Sequence, residues 1–403
     1  MDFSKVRGVN LGNWLVLEKW MSPEVFEGTE AEDEIWLNRD LSEEECRRRM
    51  RLHRDSFMDR EDFRYIAAHG FNMVRIPVPF FVFGDRPPLN GCIDYLDQAF
   101  DWAEEFGMQI LVDLHTVPGS QNGYDNGGIT GVCKWCRNPD EVEFALTVLE
   151  RLAGRYRTRE GLYGIEVLNE PISWLVYTSA PTTGKARDKE EAKGSAYVPM
   201  SFLKPFYIEA YRRLRAFLPE EKTIVFHDGF RLKKWKNFFN ENGMKNVCLD
   251  THIYLYAMEL FCPISHPFIH RIYIGMERRK IEKANRYTPV IVGEWCVCSK
   301  YAHRPGKTQY NAAYAASQAG EQPDERGQWI HFDEEADRIQ RERFLAAYDL
   351  QTSAWEVGSG WFYWSYQMMR DRNKPFDKEW KESWDFCRCL EHGWIPDLSR
   401  REN

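Results

Sequence analysis

Short apolar runs alternate with amphipathic stretches along the whole chain. Apolar runs of this length predict buried strands, and the amphipathic stretches between them predict helices. The predicted strands are Val6–Leu11, Phe71–Pro77, Met108–His115, Gly164–Glu170, Lys222–Asp228, Cys248–Tyr254, Val290–Glu294 and Gly360–Trp364. The clearest predicted helices cover residues 59–69, 92–106, 141–156, 201–218, 266–286 and 334–350. Eight strands alternating with helices predict an α/β fold, a (β/α)8 TIM barrel, with residues 1–403 in a single domain.

Three connections exceed the length of a simple turn. The stretch from residue 12 to about residue 59 is charged and contains Trp, and we expect it to be a long connection. The other two are Ile172–Met200 and Ser299–Gln328, and both follow a predicted strand. Loops that follow barrel strands lie on the catalytic face, so we expect these two loops there.

Two predicted strands end in a glutamate. Glu170 precedes Pro171, which cannot donate to a sheet, and Glu294 follows the apolar run 290–292. The carboxyl ends of barrel strands carry catalytic groups, so the fold can bring the two glutamates together. Facing carboxylates are what retaining glycoside hydrolysis requires. Strand-end glutamates are also common in structural roles, so this pair leaves both interpretations open.

Other polar and aromatic residues stand at the ends of the predicted strands. Each has a structural interpretation by itself, because a lone Arg or His at a strand end often only satisfies its neighbours. Together they favour a binding site at one end of the barrel. They are Arg75, His115, Asn169, His252, Tyr254 and Trp364.

Composition narrows the classes of partner. The chain has 403 residues, is 15% aromatic and has a formal net charge of −8, which argues against a nucleic-acid partner. The aromatic content suits stacking on sugar rings. No apolar run approaches the 18 residues of a membrane span, so we expect no membrane partner. Oligomeric state is left open.

The ten cysteines bear on metal binding and on compartment. Cys133 and Cys136 form a CxxC pair, but no second pair or suitably spaced histidines accompany it, so we expect free thiols, no metal and no cofactor. Residues 1–7 contain no apolar leader. Unless a leader has been removed, in which case the protein is secreted, we therefore expect a cytoplasmic location.

The strand-end motifs resemble those of glycoside hydrolase family 5 and follow in the same order. They are Arg7-Gly8-Val9-Asn10-Leu11-Gly12, Phe71-Asn72-x-Val74-Arg75-Ile76-Pro77, Asp113-Leu114-His115, Leu168-Asn169-Glu170-Pro171, His252-x-Tyr254, Gly293-Glu294-Trp295 and Gly360-Trp361-x-x-Trp364. Two longer stretches, residues 8–18 and 118–126, resemble the exo-β-1,3-glucanase branch of that family.

The resemblance implies a role for each matched residue. Glu170 would be the general acid/base, with a raised pKa, and Glu294 the nucleophile, kept ionised by Arg75 and Tyr254. Asn169 would bind the sugar 2-hydroxyl, His115 and His252 would hold hydroxyls, and Trp364 would lie under the −1 sugar. The matches to the exo-glucanase branch imply that Glu18, Trp20 and Asn126 close the pocket, with Tyr124 beside the +1 site.

The expected function is that of a retaining, exo-acting β-glucosidase or exo-β-1,3-glucosidase that hydrolyses oligosaccharides or glycosides. The branch has a second aromatic beyond the His-x-Tyr motif, where this chain has Ala257 with Tyr256 one place earlier, so the +1 side can differ. Alternatives with the same chemistry are a β-glycosidase of disaccharide conjugates, with plant phenolic or lipid aglycones, and a transglycosylase. A non-catalytic sugar-binding barrel is the contrasting class.

Overall fold

A computed structural model describes residues 4–179, 183–262, 264–303, 307–324, 329 and 334–400. Its strands are β1 (Val6–Asn10), β2 (Met73–Val78), β3 (Gln109–Leu114), β4 (Leu162–Glu166), β5 (Thr223–His227), β6 (Val247–His252), β7 (Val290–Trp295) and β8 (Gly360–Tyr363). Its helices are α1 (Glu34–Asp40), α2 (Glu43–Phe57), α3 (Arg60–Ala68), α4 (Ile93–Glu105), α5 (Pro139–Tyr156), α6 (Trp174–Ser179), α7 (Met200–Arg215), α8 (Phe238–Glu241), α9 (Leu255–Phe261), α10 (Pro267–Ala284), α11 (Lys307–Gln318), α12 (Glu334–Trp355) and α13 (Phe386–Glu391).

The eight strands pair in parallel, in chain order, and β8 closes on β1 to complete a barrel. The predicted (β/α)8 fold is therefore confirmed. Inside the barrel, one apolar layer contains a side chain from each strand: Val6, Met73, Leu111, Tyr163, Val225, Cys248, Ile291 and Phe362. This layer closes one end of the barrel interior. The inward-facing residues nearer the carboxyl ends of the strands are polar and form the site described below.

Close packing between strands explains two glycines. A Cβ atom on Gly8 would lie 2.3 Å from the ring of Phe362, and one on Gly164 would lie 2.1 Å from the carbonyl oxygen of Thr223. Either side chain would push neighbouring strands apart.

The structure corrects two predicted elements. Strand β4 ends at Glu166 rather than at Glu170, so Glu170 lies on the loop that follows the strand. The apolar run continues through Val167 and Leu168, beyond Glu166, the last residue of β4 that pairs with β5. Apolar character alone cannot show where the pairing of two strands stops. The stretch 12–59 also contains helices, α1 and α2, whose N-caps are the side chains of Asp33 and Ser42.

The two long loops contain helices as well. Helix α6 lies within the Ile172–Met200 loop, of which residues 180–182 are outside the described residues. Helix α11 lies within Ser299–Gln328, of which residues 304–306 and 325–328 are outside them. Among the helices that the structure describes, none combines the length and the apolar character needed to cross a membrane.

Candidate active site

Arg75 is the centre of the polar layer inside the barrel. Its side chain is fully buried, and its guanidinium donates to Glu166 (2.8 Å), Asn10 (2.9 Å), Glu294 (3.0 Å) and Asn169 (2.9 Å). The planar fork of Arg suits this arrangement, because its N–H groups point in fixed and different directions. One side chain thereby links β1, β2, β4, the loop after β4, and β7.

Glu170 lies on the loop after β4 with a backbone φ of +44°. A positive φ in a residue other than Gly or Asn is strained, and such strain clusters at functional sites. The side chain is buried; its Oε1 faces His252 Nδ1 at 2.8 Å, and its Oε2 accepts from Asn126 Nδ2 at 3.4 Å. The loop therefore holds this carboxylate in one orientation.

Glu294 lies on β7 and is also buried. Its Oε1 accepts from Arg75, and its Oε2 accepts from the hydroxyl of Tyr254 at 2.8 Å. Both bonds stabilise the ionised carboxylate. One donor from β2, across the barrel, and one from the loop after β6 thus point at one carboxylate.

His252 lies between the two glutamates. Its Nδ1 is 2.8 Å from Glu170 Oε1 and 3.4 Å from Glu294 Oε2. These distances place Glu170 Oε1 and Glu294 Oε2 no farther apart than about 6 Å, which is compatible with the separation of the carboxyl groups in retaining enzymes.

The charge of His252 lowers the pKa of both glutamates, and for Glu170 the net shift is opposite to the expected one. Burial raises the pKa of Glu170, but the hydrogen bond and charge of His252 outweigh it and hold this pKa below its ordinary value. Burial raises the pKa of Glu294 above its ordinary value, although His252 and Arg75 oppose the rise. The expectation of a raised Glu170 pKa in the free protein is therefore wrong, because a buried cation contacts that carboxylate.

His115, Asn169 and Trp364 form one wall of the site. The ring of His115 stacks on that of Trp364 with centroids 5.7 Å apart, and its Nδ1 contacts Asp113 at 2.5 Å. Asn169 contacts His115 Nε2 through its amide nitrogen at 3.3 Å and accepts from Arg75 through its oxygen.

Glu18 and Trp20 form another part of the site. Trp20 Nε1 donates to Glu18 Oε2 at 2.8 Å, while the buried Glu18 Oε1 has no hydrogen-bond partner within the described part of the chain. Burial and the nearby Asp125 raise the pKa of Glu18 well above its ordinary value, and Glu170 and Glu294 add to that rise.

Tyr124 and Asn126 lie close to Glu170. Asn126 contacts Glu170 directly, and its oxygen accepts from Asn122 at 2.9 Å. Burial, with the charge of Glu170, raises the pKa of Tyr124 to about 12. All the site residues expected from the sequence therefore lie in one region of the barrel.

Three buried acids of this region were not among the expected site residues. Asp113 and Asp250 lie two residues before His115 and His252, and Glu166 lies four residues before Glu170. The signal that identifies them is a charged residue inside an otherwise apolar predicted strand, because such a charge needs a polar partner inside the barrel.

Two tryptophans beyond β8 were also missed. Trp384 stacks on Tyr254 with centroids 5.0 Å apart, and Trp380 stacks on Tyr256 (6.1 Å) and on Trp20 (5.9 Å). They come from the segment after β8, whose sequence has no periodic pattern that would place it beside the site.

Two triplets of side chains have ligand atoms close enough to consider a metal ion: Glu170, His227 and His252, and Glu166, Asp250 and His252. Arg75 Nε lies 2.8 Å from Glu166 and 4.0 Å from Asp250. Beside the second triplet, the guanidinium of Arg75 already supplies the positive charge that a metal ion would bring. In the first triplet, His252 Nδ1 already faces Glu170 and is not free to bind a metal ion. We interpret both as parts of one hydrogen-bonded network.

Comparison with known proteins identifies the family. Residues 48–321 match the family model described as Cellulase (glycosyl hydrolase family 5). The chain belongs to glycosyl hydrolase family 5. Within it, the chain is 31% identical to glucan 1,3-β-glucosidase of Blumeria graminis, over 98% of this chain and 88% of that protein. It is 32% identical to probable glucan 1,3-β-glucosidase A of Emericella nidulans, over 99% and 92%. The resemblance inferred from the motifs is confirmed, and this family 5 protein is a glycoside hydrolase with a carbohydrate substrate.

A solved structure shares the fold of this family 5 enzyme. Rutinosidase from Aspergillus niger superposes with a TM-score of 0.70 and 19% identity, covering 98% of this chain and 99% of that one. The expectation of a cytoplasmic location is wrong, because the homologous fungal glucan 1,3-β-glucosidases are secreted enzymes. The ten cysteines are free thiols in the structure.

Proposed function

We propose that this chain is a retaining, exo-acting β-glucosidase that acts on β-1,3-linked glucosides, with residues 1–403 forming one catalytic domain. The observation that carries the proposal is the position of Glu170 and Glu294, both buried and both within 3.4 Å of the same His252 nitrogen. Retaining hydrolysis needs one carboxylate to attack the sugar and a second, close to it, to move protons.

The mechanism follows from these contacts. Glu294 attacks C1 of the sugar while Glu170 protonates the departing glycosidic oxygen, which leaves a glycosyl ester on Glu294. Water then attacks C1, Glu170 takes the proton of that water, and Glu294 is released. Arg75 and Tyr254 stabilise the carboxylate of Glu294 before attack and after release.

Exo action is supported by the Glu18 side of the site. Glu18 Oε1 is buried and has no hydrogen-bond partner among the described residues, and a buried polar atom of this kind is costly unless a ligand satisfies it. A hydroxyl of the terminal sugar would do so, with Trp20 holding the other oxygen. Asn169, His115 and Trp364 would then contact the same −1 sugar. The glucan 1,3-β-glucosidase relatives support glucose at this position.

The second candidate is a β-glycosidase of disaccharide conjugates. Tyr256 and Trp380 are only half-buried, and their rings are nearly parallel, at 16°. Trp384 contacts both Tyr254 and Tyr256, so these rings form one aromatic surface that begins beside the proposed nucleophile. Such a surface suits a flat aglycone or a second sugar.

The test compares nitrophenyl β-glucoside, β-mannoside and β-fucoside with laminari-oligosaccharides and a nitrophenyl disaccharide glycoside. Wild type, Glu294→Gln and Glu170→Gln are assayed in parallel. We expect glucose release from the non-reducing end of laminari-oligosaccharides, with retained anomeric configuration, and no turnover by Glu294→Gln. Faster release of an intact disaccharide than of glucose would favour the second candidate. Full activity of Glu294→Gln on every substrate would refute the two-glutamate mechanism.

A further inference from the structure

Asp250 is the buried acid that connects the two catalytic glutamates, although it touches neither of them. It lies on β6, two residues before His252, and is fully buried. Its Oδ1 accepts from the backbone N–H of Gly293 at 2.6 Å, and its Oδ2 is 3.3 Å from His252 Nε2. The first contact reaches the residue before Glu294, and the second reaches the ring that faces Glu170.

The sheet is irregular at this point. The register between β6 and β7 shifts between Thr251 and His252, so that His252 pairs with Glu294. A Cβ atom on Gly293 would lie 1.9 Å from Asp250 Oδ2, so a glycine is needed for the carboxylate to fit. A bulge in a barrel strand re-aims the side chains that follow it. Asp250 therefore bridges the two strands at the point where their register shifts.

We propose that Asp250 is a positioning residue for the reaction: it holds His252 with Nδ1 turned to Glu170, and it holds the backbone that carries Glu294. The inference rests on the proposed two-glutamate function and goes beyond it by assigning the source of the proton that Glu170 delivers. A carboxylate oxygen can only accept from a ring nitrogen, so Asp250 requires the proton of His252 on Nε2. His252 Nδ1 is then free to hold a second proton or to face Glu170 as an acceptor.

The surroundings favour a charged His252. The titratable groups packed around the pair are Arg75, Glu166, Glu170, His227, Asp228 and Glu294. Burial lowers the pKa of His252, but the charges of Glu294 and Asp250 and the bonds to Asp250 and Glu170 raise it well above its ordinary value. Burial and the charges of His252 and Arg75 lower the pKa of His227, which lies edge-on to His252 at 4.4 Å and stays neutral.

The proton path follows. In the free enzyme, the proton needed by the leaving group lies on His252 Nδ1, beside an ionised Glu170. It passes to Glu170 Oε1 and from there to the glycosidic oxygen as the C1–O bond breaks and Glu294 bonds to C1. His252 keeps its Nε2 proton, bonded to Asp250. When water attacks C1, the bond between C1 and Glu294 breaks and Glu294 leaves as a carboxylate. The proton of the water goes to Glu170 and on to His252 Nδ1, which restores the ionised Glu170 and the protonated His252.

Asp250→Asn separates the two contacts because the amide has the shape of the carboxylate. The amide oxygen can still accept from Gly293 N–H. The amide NH2 then faces His252 Nε2, which has to accept, so the ring carries a single proton on Nδ1. Replacing an aspartate by asparagine beside a catalytic histidine is known to place the ring proton on the other nitrogen, which gives an inactive tautomer. Transfer of that single proton to Glu170 would leave an imidazolate anion beside Glu294, so His252 can no longer supply the proton that Glu170 needs.

The experiment measures kcat and kcat/KM of wild type and Asp250→Asn on two glucosides. Dinitrophenyl β-glucoside has a leaving group that needs little protonation, and phenyl β-glucoside has one that needs it. We expect kcat/KM for phenyl glucoside to fall by about 10²-fold or more and that for dinitrophenyl glucoside to fall by less than about tenfold. Equal losses on both substrates, or no loss on either, would overturn the inference.

Asp228→Asn is the matched control. Asp228 is a buried acid on the neighbouring strand end that bonds to the Phe230 amide and to the Thr251 hydroxyl. Its exchange replaces a carboxyl group at the same depth by an amide without touching His252 Nε2, and we expect no dependence on the leaving group. If wild type cleaves neither glucoside, the proposed function fails, which is a different outcome from equal losses in Asp250→Asn.

A readout independent of turnover uses protein labelled with ¹⁵N-histidine, with the His252 signals assigned from His252→Gln. We expect both ring nitrogens of His252 to be protonated in wild type and Nε2 to lose its proton in Asp250→Asn. Unchanged His252 nitrogen signals in a folded Asp250→Asn protein would also overturn the inference, whatever the activity.

Discussion

The hydroxyl of Tyr254 donates a 2.8 Å hydrogen bond to Oε2 of Glu294, from the loop after one strand to the end of the next. Tyr254 also stacks on Trp384, with centroids 5.0 Å apart and an interplanar angle of 25°. One ring therefore joins the proposed nucleophile to the aromatic surface of Trp384, Tyr256 and Trp380.

Tyr254→Phe tests the first half of that relationship. The exchange keeps the ring on Trp384 and removes only the bond to Glu294, and a hydrogen bond to a charged group contributes about 1.5–3 kcal/mol. We expect kcat/KM on aryl β-glucosides to fall by about 10- to 100-fold, with little change in thermal unfolding. Tyr256→Phe is the control, because its ring packs on Trp380 instead. A similar loss in both variants would contradict the assignment.

Trp380→Ala tests the aromatic surface. Loss of a stacking ring costs about 1–2 kcal/mol, so we expect KM to rise roughly tenfold for substrates with a second sugar or a flat aglycone. Methyl β-glucoside has no such group, so we expect a smaller loss on it, which reports the contact of Trp380 with Trp20. Phe217→Ala, an aromatic that is 40% exposed after α7, serves as the control. Equal effects on methyl and larger glucosides would show that Trp380 does not contact the leaving group.

Arg75→Lys tests the buried centre of the site. Lysine cannot reproduce the fork that contacts Glu166, Asn169 and Glu294, so it leaves buried carboxylates without a partner. Breaking a buried ion pair in this way costs about 3–5 kcal/mol. We expect that loss in urea unfolding, together with loss of activity. Arg213→Lys, in a partly exposed cluster with Glu143 and Glu209, should change the free energy of unfolding by less than about 1 kcal/mol. An equal change in both variants would contradict the structural role of Arg75.

His53 predicts a pH dependence of stability. Its buried Nε2 contacts the carbonyl oxygen of Asn13 at 2.6 Å, and burial lowers its pKa to about 4. The unfolded chain binds the proton with a pKa of about 6.5, so this contribution is full above pH 6.5 and is lost as pH falls toward 4, by about 3 kcal/mol. Urea unfolding between pH 7 and pH 4.5 should show a shallower decline in His53→Gln, whose amide can still donate to Asn13. The same slope in both proteins would contradict this prediction.

The sequence by itself determined the fold and the residues that gather at one end of the barrel. Alternating strand and helix patterns specify a (β/α)8 barrel because each strand must be covered by a helix, and parallel strands then end on one face. Polar residues at those ends, such as Arg75 and Glu294, must therefore meet, whatever the details of packing. That is why the expected site residues lie together.

Only the tertiary structure decided how these residues act on one another. The sequence does not show that His252 lies between Glu170 and Glu294, because that depends on the bulge between β6 and β7 and on the loop after β4. The direction of the Glu170 pKa shift depends in turn on which charge is nearest in a buried site, where a change of a few ångströms alters the balance. Trp380 and Trp384 lie on a short 3-10 helix, Glu379–Trp384, whose position is set by packing against Trp20, Tyr254 and Tyr256. No local periodicity of the sequence encodes such contacts.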